Sequence, residues 1–229
     1  MIKSSNWQEI AAQCEYQFPD LEEVDDKYGD LITIGADLKP STLIYAYSQG
    51  YFPMEVKDEN NHKVLGWFSP LQRGTFPLDK LHITRSMRQS AKKYETRIDS
   101  SFEEVMRGCM TAKRKGGWIN EEFISSYVAL HKLGLAHSVE VFEDKKLVGG
   151  LYGVGFGGFF AGESMFSKSR DASKVALMKL VDHLNLKNAK LLDTQWLTDH
   201  LASLGAVEMP RPRYLALLHE AISQPSIIW

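Results

Sequence analysis

The sequence predicts an α+β chain with a small α/β unit over residues 1–70 and a larger α+β unit over 71–229. Three observations carry this. Apolar residues recur at helical spacing up to about residue 134, as at Phe123, Tyr127 and Leu130. From Ala136 the period changes to two. One more helical stretch then leads into the apolar pair Leu191-Leu192, which runs straight into polar residues. A chain of 229 residues can bury a real core as one large domain or two small ones, and a soft boundary falls near residue 70.

Hydrophobic content of 44% and charged content of 24% are globular values. The formal net charge is -2, so a nucleic-acid partner would need a local basic patch. Cys14 and Cys109 have no metal-like spacing, which argues against a disulfide scaffold and suits a reducing cytoplasm. The start of the chain lacks the apolar core of a signal peptide, and no apolar run approaches the ~20 residues of a membrane span.

Residues 1–40 are rich in acids and loop formers. Ser41 can cap a short helix carrying Leu43, Ala46 and Tyr47, which Gly50 ends. The segment 56–62 reads as a polar loop. The next stretch is basic: Arg85, Arg88 and Lys92 fall at i, i+3 and i+7 of a helix, with Lys93 beside them. A solvated face and a phosphate-binding face both fit that pattern. Ser100 or Ser101, with Glu103 or Glu104, reads as a capping box for a helix running to about Ala112. Lys113, Arg114 and Lys115 then form a basic loop before Trp118. Such a loop can sit against a polynucleotide end, since cations hold phosphate and rings stack on bases; an ordinary exposed loop has the same composition. Asn120 caps the following helix, and Gly134 stops it.

Residues 137–142, 147–154 and 158–162 read as an antiparallel meander, with Glu163 to Ser167 leaving its third strand. Its dense glycines suggest bulges or the close approach of another backbone. Asp171 or Ser173 caps a helix with Leu177, Leu180, Val181 and Leu184 at core spacing. In the strand 190–195, alternation puts Asp193 and Gln195 on one face and Thr194 on the other. An acid beside an amide can hold and orient an amine; the pair also fits a polar strand end that caps the next turn. A last helical stretch includes residues 214–222.

Three strands, a helix and a further strand is an order similar to the GCN5-related N-acetyltransferase fold. The stretch Ser167-Lys168-Ser169-Arg170-Asp171-Ala172-Ser173-Lys174 stands at that fold's pyrophosphate loop but contains no glycine, which argues against coenzyme A. A Ser164, His200 and Asp193 hydrolase triad is opposed by the lack of a Gly-x-Ser-x-Gly elbow.

An ordered set of short motifs is more specific. It includes Gly50-Tyr51-Phe52-Pro53, Trp67-Phe68-Ser69-Pro70, His82-Ile83-Thr84-Arg85-Ser86-Met87, Gly162-Glu163-Ser164-Met165-Phe166-Ser167 and Ala172-Ser173-Lys174. Over residues 18–215 the chain resembles the bacterial leucyl/phenylalanyl-tRNA–protein transferase family. The resemblance implies a small N-terminal domain packed on a GCN5-like acyltransferase domain. It implies transfer of Leu or Phe, and Met less well, from aminoacyl-tRNA to the α-amine of proteins beginning with Arg or Lys, which marks them for degradation in the N-degron pathway. Leucyl-tRNA and phenylalanyl-tRNA are then the donors, and the enzyme is a cytoplasmic monomer with no membrane partner. An aminoacyl ester is already activated, so no cofactor and no metal is expected.

Carried over by position, Asp193 and Gln195 are the catalytic pair and Glu163 is a further polar site residue. Trp118, Tyr127, Tyr47 and Met54 match positions around the aminoacyl-adenosine end, Met54 standing where many relatives carry Trp. Leu151, Phe160, Leu177, Leu184 and Leu192 match the donor side-chain pocket, with Leu184 in place of a larger aromatic that some relatives have. The bases Arg85, Arg88, Lys92, Lys93, Lys113, Arg114 and Lys115 are the candidates for holding the tRNA backbone.

Overall fold

The computed structural model describes residues 6–112 and 117–229, so the Lys113, Arg114 and Lys115 loop lies outside the described residues. In chain order the elements are α1 (Trp7–Ala11), β1 (Leu31–Ile34), α2 (Pro40–Ser48), β2 (Phe52–Lys57), β3 (Lys63–Phe68), β4 (Gln72–Thr75), α3 (Arg85–Ala91) and β5 (Glu95–Ile98). They continue as α4 (Phe102–Thr111), α5 (Glu121–Lys132), β6 (Ala136–Glu143), β7 (Lys146–Phe156), β8 (Phe159–Ser167), α6 (Ala172–Leu186), β9 (Leu191–Gln195), α7 (Asp199–Leu204), β10 (Val207–Pro210) and α8 (Arg211–Ile222).

A first, antiparallel sheet has the order β1-β3-β2. Strand β2 extends through Val56 and Lys57 into the stretch expected to be loop, and β3 begins directly after it. Asp58 explains the β2–β3 hairpin, because its side chain accepts from the backbone N–H of Asn60 and His62 at 2.9 and 2.8 Å. Asn61, at φ 64°, takes the left-handed position of that turn. Burial of Phe52 and Trp67 then holds the strands on the core. Helix α2 opens on Pro40 in its first turn and not on a Ser41 cap. Proline suits that position because its missing N–H would be unpaired there anyway.

The second sheet has the order β10-β4-β9-β8-β7-β6-β5; β8 and β9 are parallel and the other neighbours antiparallel. Asp144 and Lys145, at φ 49° and 63°, make the β6–β7 turn. Two successive positive φ values match the twist of a tight hairpin. Strand β8 runs on to Ser167, past the expected end at Gly162, and buries Phe166.

Helices cover both faces of this sheet. On one, Val139, Val141 and Leu151 pack with Val175, Leu180 and Leu184 of α6. On the other, Tyr152 and Val154 pack with Val105 of α4 and Phe123 and Tyr127 of α5. The period-two pattern therefore sorts β6 and β7 side chains between two cores. Gly149 shows one close approach that glycine permits: a Cβ there would sit 2.5 Å from the Ala172 Cβ, so α6 could not lie as it does on β7.

Helix ends follow local chemistry at α5 but not at α4, nor at α6, where Asp171 stands at the N-cap position without a side-chain bond to the helix. Asn120 Oδ1 accepts from Glu122 N and Phe123 N at 2.9 and 3.1 Å, as expected. The capping box expected at Ser100 or Ser101 does not form. Ser100 Oγ and the backbone N–H groups of Ser100 and Ser101 donate to the Glu140 carboxylate at 3.0 to 3.4 Å. Glu140 is fully buried on β6, and an unpaired carboxylate there costs more than an uncapped helix.

Candidate active site

Strands β8 and β9 remain paired only as far as Ala161 and Asp193, and then part. Each carries an extra residue at that point. Tyr152 faces Ser164 and Gly153 faces Gly162, which leaves Glu163 as the bulged residue of β8. Gly74 faces Gln195 and Thr75 faces Asp193, which leaves Thr194 as the bulged residue of β9. A bulge bends its strand and re-aims the side chains around it. A cavity of about 650 Å³ lies between the parted strands, with Glu163, Thr194 and Gln195 on its wall.

These bulges overturn the alternation expected of Asp193, Thr194 and Gln195. Gln195 has a φ of 61°, a left-handed backbone that turns it out of the strand pattern. Thr194, expected to point away, lines the cavity, while Asp193 does not reach it. Asp193 is fully buried, and its carboxylate is covered by donors. Arg73 donates from Nε to Oδ1 at 2.9 Å and from Nη2 to Oδ2 at 2.6 Å. The Tyr214 hydroxyl donates to Oδ2 at 3.0 Å, and Gln195 N to Oδ1 at 2.9 Å. Asp193 thus fixes the backbone of Gln195 and is closed to a substrate amine.

Arg73 is the site residue the sequence motifs miss. It is buried, donates to Gly50 O at 3.0 Å, and lies over the rings of Phe52 and Tyr214 at 4.7 and 4.3 Å. Burial opposes its charge, but the Asp193 carboxylate more than offsets this and raises its pKa. Planar, bidentate pairing with stacking on rings is what guanidinium does and ammonium cannot.

Glu163 is the carboxyl that meets the cavity. Its Oε1 accepts from Gln195 Nε2 at 3.1 Å. Behind it the hydroxyls of Tyr47 and Tyr127 meet at 2.5 Å. Burial pushes the Glu163 carboxyl up to about 8, against the nearby Tyr47 hydroxyl, which favours the charged form. Tyr47 and Tyr127 are themselves buried, so they back Glu163 and do not form the cavity wall.

The apolar wall includes Leu151, Met165, Leu177, Leu180 and Leu192. Phe160 and Leu184, expected on it, lie behind it in the α6 core, both fully buried. A smaller residue at 184 therefore does not directly widen the cavity. Met54 and Trp118 line the opposite side, with Trp118 edge-on to Phe123 at 5.0 Å between ring centres. Ser164 and His200 also line the cavity, but Asp193 is bound to Arg73, so no hydrolase triad forms.

Of the candidate cations, Arg85 and Arg88 are exposed on α3, Lys92 caps its C-terminus and Lys93 lies just beyond, both exposed. The fold also gathers Asp99, His131 and His137 away from the cavity, which sequence spacing does not reveal. Their atoms are engaged with protein: Asp99 Oδ2 meets His137 Nδ1 at 2.7 Å, Oδ1 accepts from Ser138 N at 2.9 Å, and His131 Nδ1 meets Ala136 O at 2.8 Å.

Two family models match in chain order. Residues 36–71 match the leucyl/phenylalanyl-tRNA protein transferase N-terminal domain, and residues 75–219 match leucyl/phenylalanyl-tRNA protein transferase. A protein of Herpetosiphon aurantiacus named leucyl/phenylalanyl-tRNA–protein transferase is 48% identical over 188 residues, covering 81% of this chain and 95% of that one. One of the same name from Thermodesulfovibrio yellowstonii is 45% identical over 218 residues, covering 93% and 86%. The solved structure of L-PGS from Bacillus licheniformis matches at a TM-score of 0.37 and 13% identity, over 69% of this chain and 54% of that one; at that distance it carries no argument. With these matches spanning nearly all of its length, the chain belongs to the leucyl/phenylalanyl-tRNA protein transferase family.

Proposed function

We propose that the protein transfers Leu or Phe, and Met less well, from aminoacyl-tRNA to the α-amine of proteins beginning with Arg or Lys, and so marks them for degradation. The observation that carries this reading is a cavity with two kinds of wall. Leucines on one side suit an apolar donor side chain, and Glu163 and Gln195, where β8 and β9 part, suit an amine. The strand order and the parted parallel pair support a GCN5-related acyltransferase unit over 71–229 with a small unit over 1–70. The enzyme acts as a monomer in the cytoplasm. Among the described residues, no helix is long and apolar enough to cross a membrane.

The reaction is aminolysis of an ester. Gln195 cannot titrate; its Nε2 is held by Glu163, and its Oε1 can accept from the incoming amine. Asp193 acts through Gln195, whose N–H it holds. Glu163 takes one proton from the acceptor ammonium, and the neutral amine attacks the ester carbon. As the tetrahedral intermediate collapses, the ribose hydroxyl leaves with that proton. The remaining excess proton on nitrogen passes to Glu163 and then to solvent. Fixing both substrates in one cavity supplies much of the rate.

The test is incubation with radiolabelled leucyl-tRNA and an Arg-starting protein, with acetyl-CoA offered in parallel. Label should move to the acceptor from leucyl-tRNA, with no acetylation. Acetyl transfer without leucyl transfer would contradict the reading.

A further inference from the structure

Lys174 stands one turn before Leu177 on α6, and both Leu177 and Leu180 line the cavity. Residues three apart share a helix face, so Lys174 marks the cavity's α6 rim. His200, on the cavity wall, is held below the usual histidine range by burial and then by the Lys174 ammonium. One turn further back, Asp171 clasps α6 to α3. Its carboxylate accepts from Ser86 Oγ at 2.6 Å, Ser90 Oγ at 3.2 Å and Lys174 Nζ at 3.1 Å.

That clasp joins two basic segments far apart in sequence. The Tyr94 hydroxyl adds a bond to Arg170 O at 2.8 Å. Lys168 and Arg170 are exposed, as are Arg85 and Arg88 on α3. The nearby carboxylates are engaged: Asp171 as described, and Glu143 by Ser169 Oγ at 2.8 Å. Lys174 gives one of its three donors to Asp171 and keeps two.

We propose that Lys168, Arg170 and Lys174 continue the exposed face of α3 as one phosphate-binding track, which leads the donor's RNA backbone to the cavity with Lys174 nearest the transferable end. This rests on the aminoacyl-tRNA reading above. A protein of net charge -2 cannot attract a polyanion by its overall field, so a local track must. Contacts of this kind read backbone and leave base identity open, as an enzyme with more than one donor tRNA requires.

Transfer is measured from leucyl-tRNA and from leucyl-adenosine, which carries the same ester without the RNA strand. In Lys174→Gln, and in the double variant Lys168→Gln with Arg170→Gln, the ratio of kcat/KM for leucyl-tRNA to that for leucyl-adenosine falls about ten-fold or more. The slope of log affinity against log salt flattens by roughly 0.7–0.9 per lost phosphate contact. Lys174→Arg, which keeps the positive charge, restores the ratio. Equal loss with both donors, or an unchanged ratio and salt slope, overturns the track. A wild-type protein inert toward both donors overturns the aminoacyl-transfer reading, and the track with it.

Discussion

Arg73 and Asp193, 120 residues apart in sequence, close on each other through two hydrogen bonds of 2.9 and 2.6 Å in the buried floor beneath the cavity. Coulomb attraction there must offset the desolvation of both ions, and the stacked rings and the Tyr214 hydroxyl supply the remaining contacts. Removing one partner strands the other. Arg73→Ala should therefore cost about 3–5 kcal/mol, and the double variant Arg73→Met with Asp193→Leu should cost less than the single one. Urea unfolding checks both. A single-variant loss below about 1 kcal/mol, as for an exposed pair, would refute this account of the floor.

Glu163 ties stability to pH. Its carboxyl rises from 4.5 to about 8 in the folded protein. The folded state thus holds the proton more tightly than the unfolded one. The stability this contributes is fully present below about pH 4.5 and is lost as pH rises through about 8. Glu163→Gln should remove that decline, so the stability of wild type relative to the variant should fall across this window. A difference that does not vary with pH would count against the placement of Glu163.

The proposed donor pocket predicts a selectivity. Its wall of leucines and Met165 offers volume without a polar partner, so discrimination is modest, about 1–3 kcal/mol per methylene. Leu should be favoured, Phe and Met accepted, and the Cβ-branched Ile and Val poor. Leu177→Ala, on the wall, should shift the Phe-to-Leu ratio upward. Leu184→Ala, behind it, should cost about 2–5 kcal/mol of stability with a smaller change in that ratio. Competition between charged tRNAs checks the ratio. Efficient transfer of Val would contradict the pocket.

Much of the fold is legible in the sequence because it rests on local chemistry. The Asn120 cap, the period change at Ala136 and the leucine spacing of α6 need no distant partner. The active-site geometry is different. Alternation alone sets Asp193 and Gln195 on one face, but the bulge at Thr194 exists only against β4, whose register nothing in residues 190–195 specifies. Arg73 hides for the same reason: β4 is four residues long, contains Gly74 and has no periodic signal. Glu163 carries a motif, yet its exit from the strand pattern depends on the register of β7. The N-terminal strands hide because polar turn residues such as Asp58 outweigh short aromatic runs by composition.

Neutralising Arg85, Arg88 and Lys92 together should weaken leucyl-tRNA and phenylalanyl-tRNA binding alike. The salt slope should flatten by roughly 0.7–0.9 per lost contact, while the donor side-chain preference stays put. Binding measured over a salt series checks this. An unchanged slope would leave α3 a solvated surface.

The most direct test is single-turnover transfer of leucine from leucyl-tRNA to an Arg-starting protein by Gln195→Ala, with tRNA affinity and unfolding followed on the same sample. Transfer should fall about 100-fold or more, the size of effect seen when a positioned polar group leaves an active site. Folding and tRNA binding should be kept. Transfer at the wild-type rate by that variant would contradict the claim that Gln195 presents the acceptor amine to the ester.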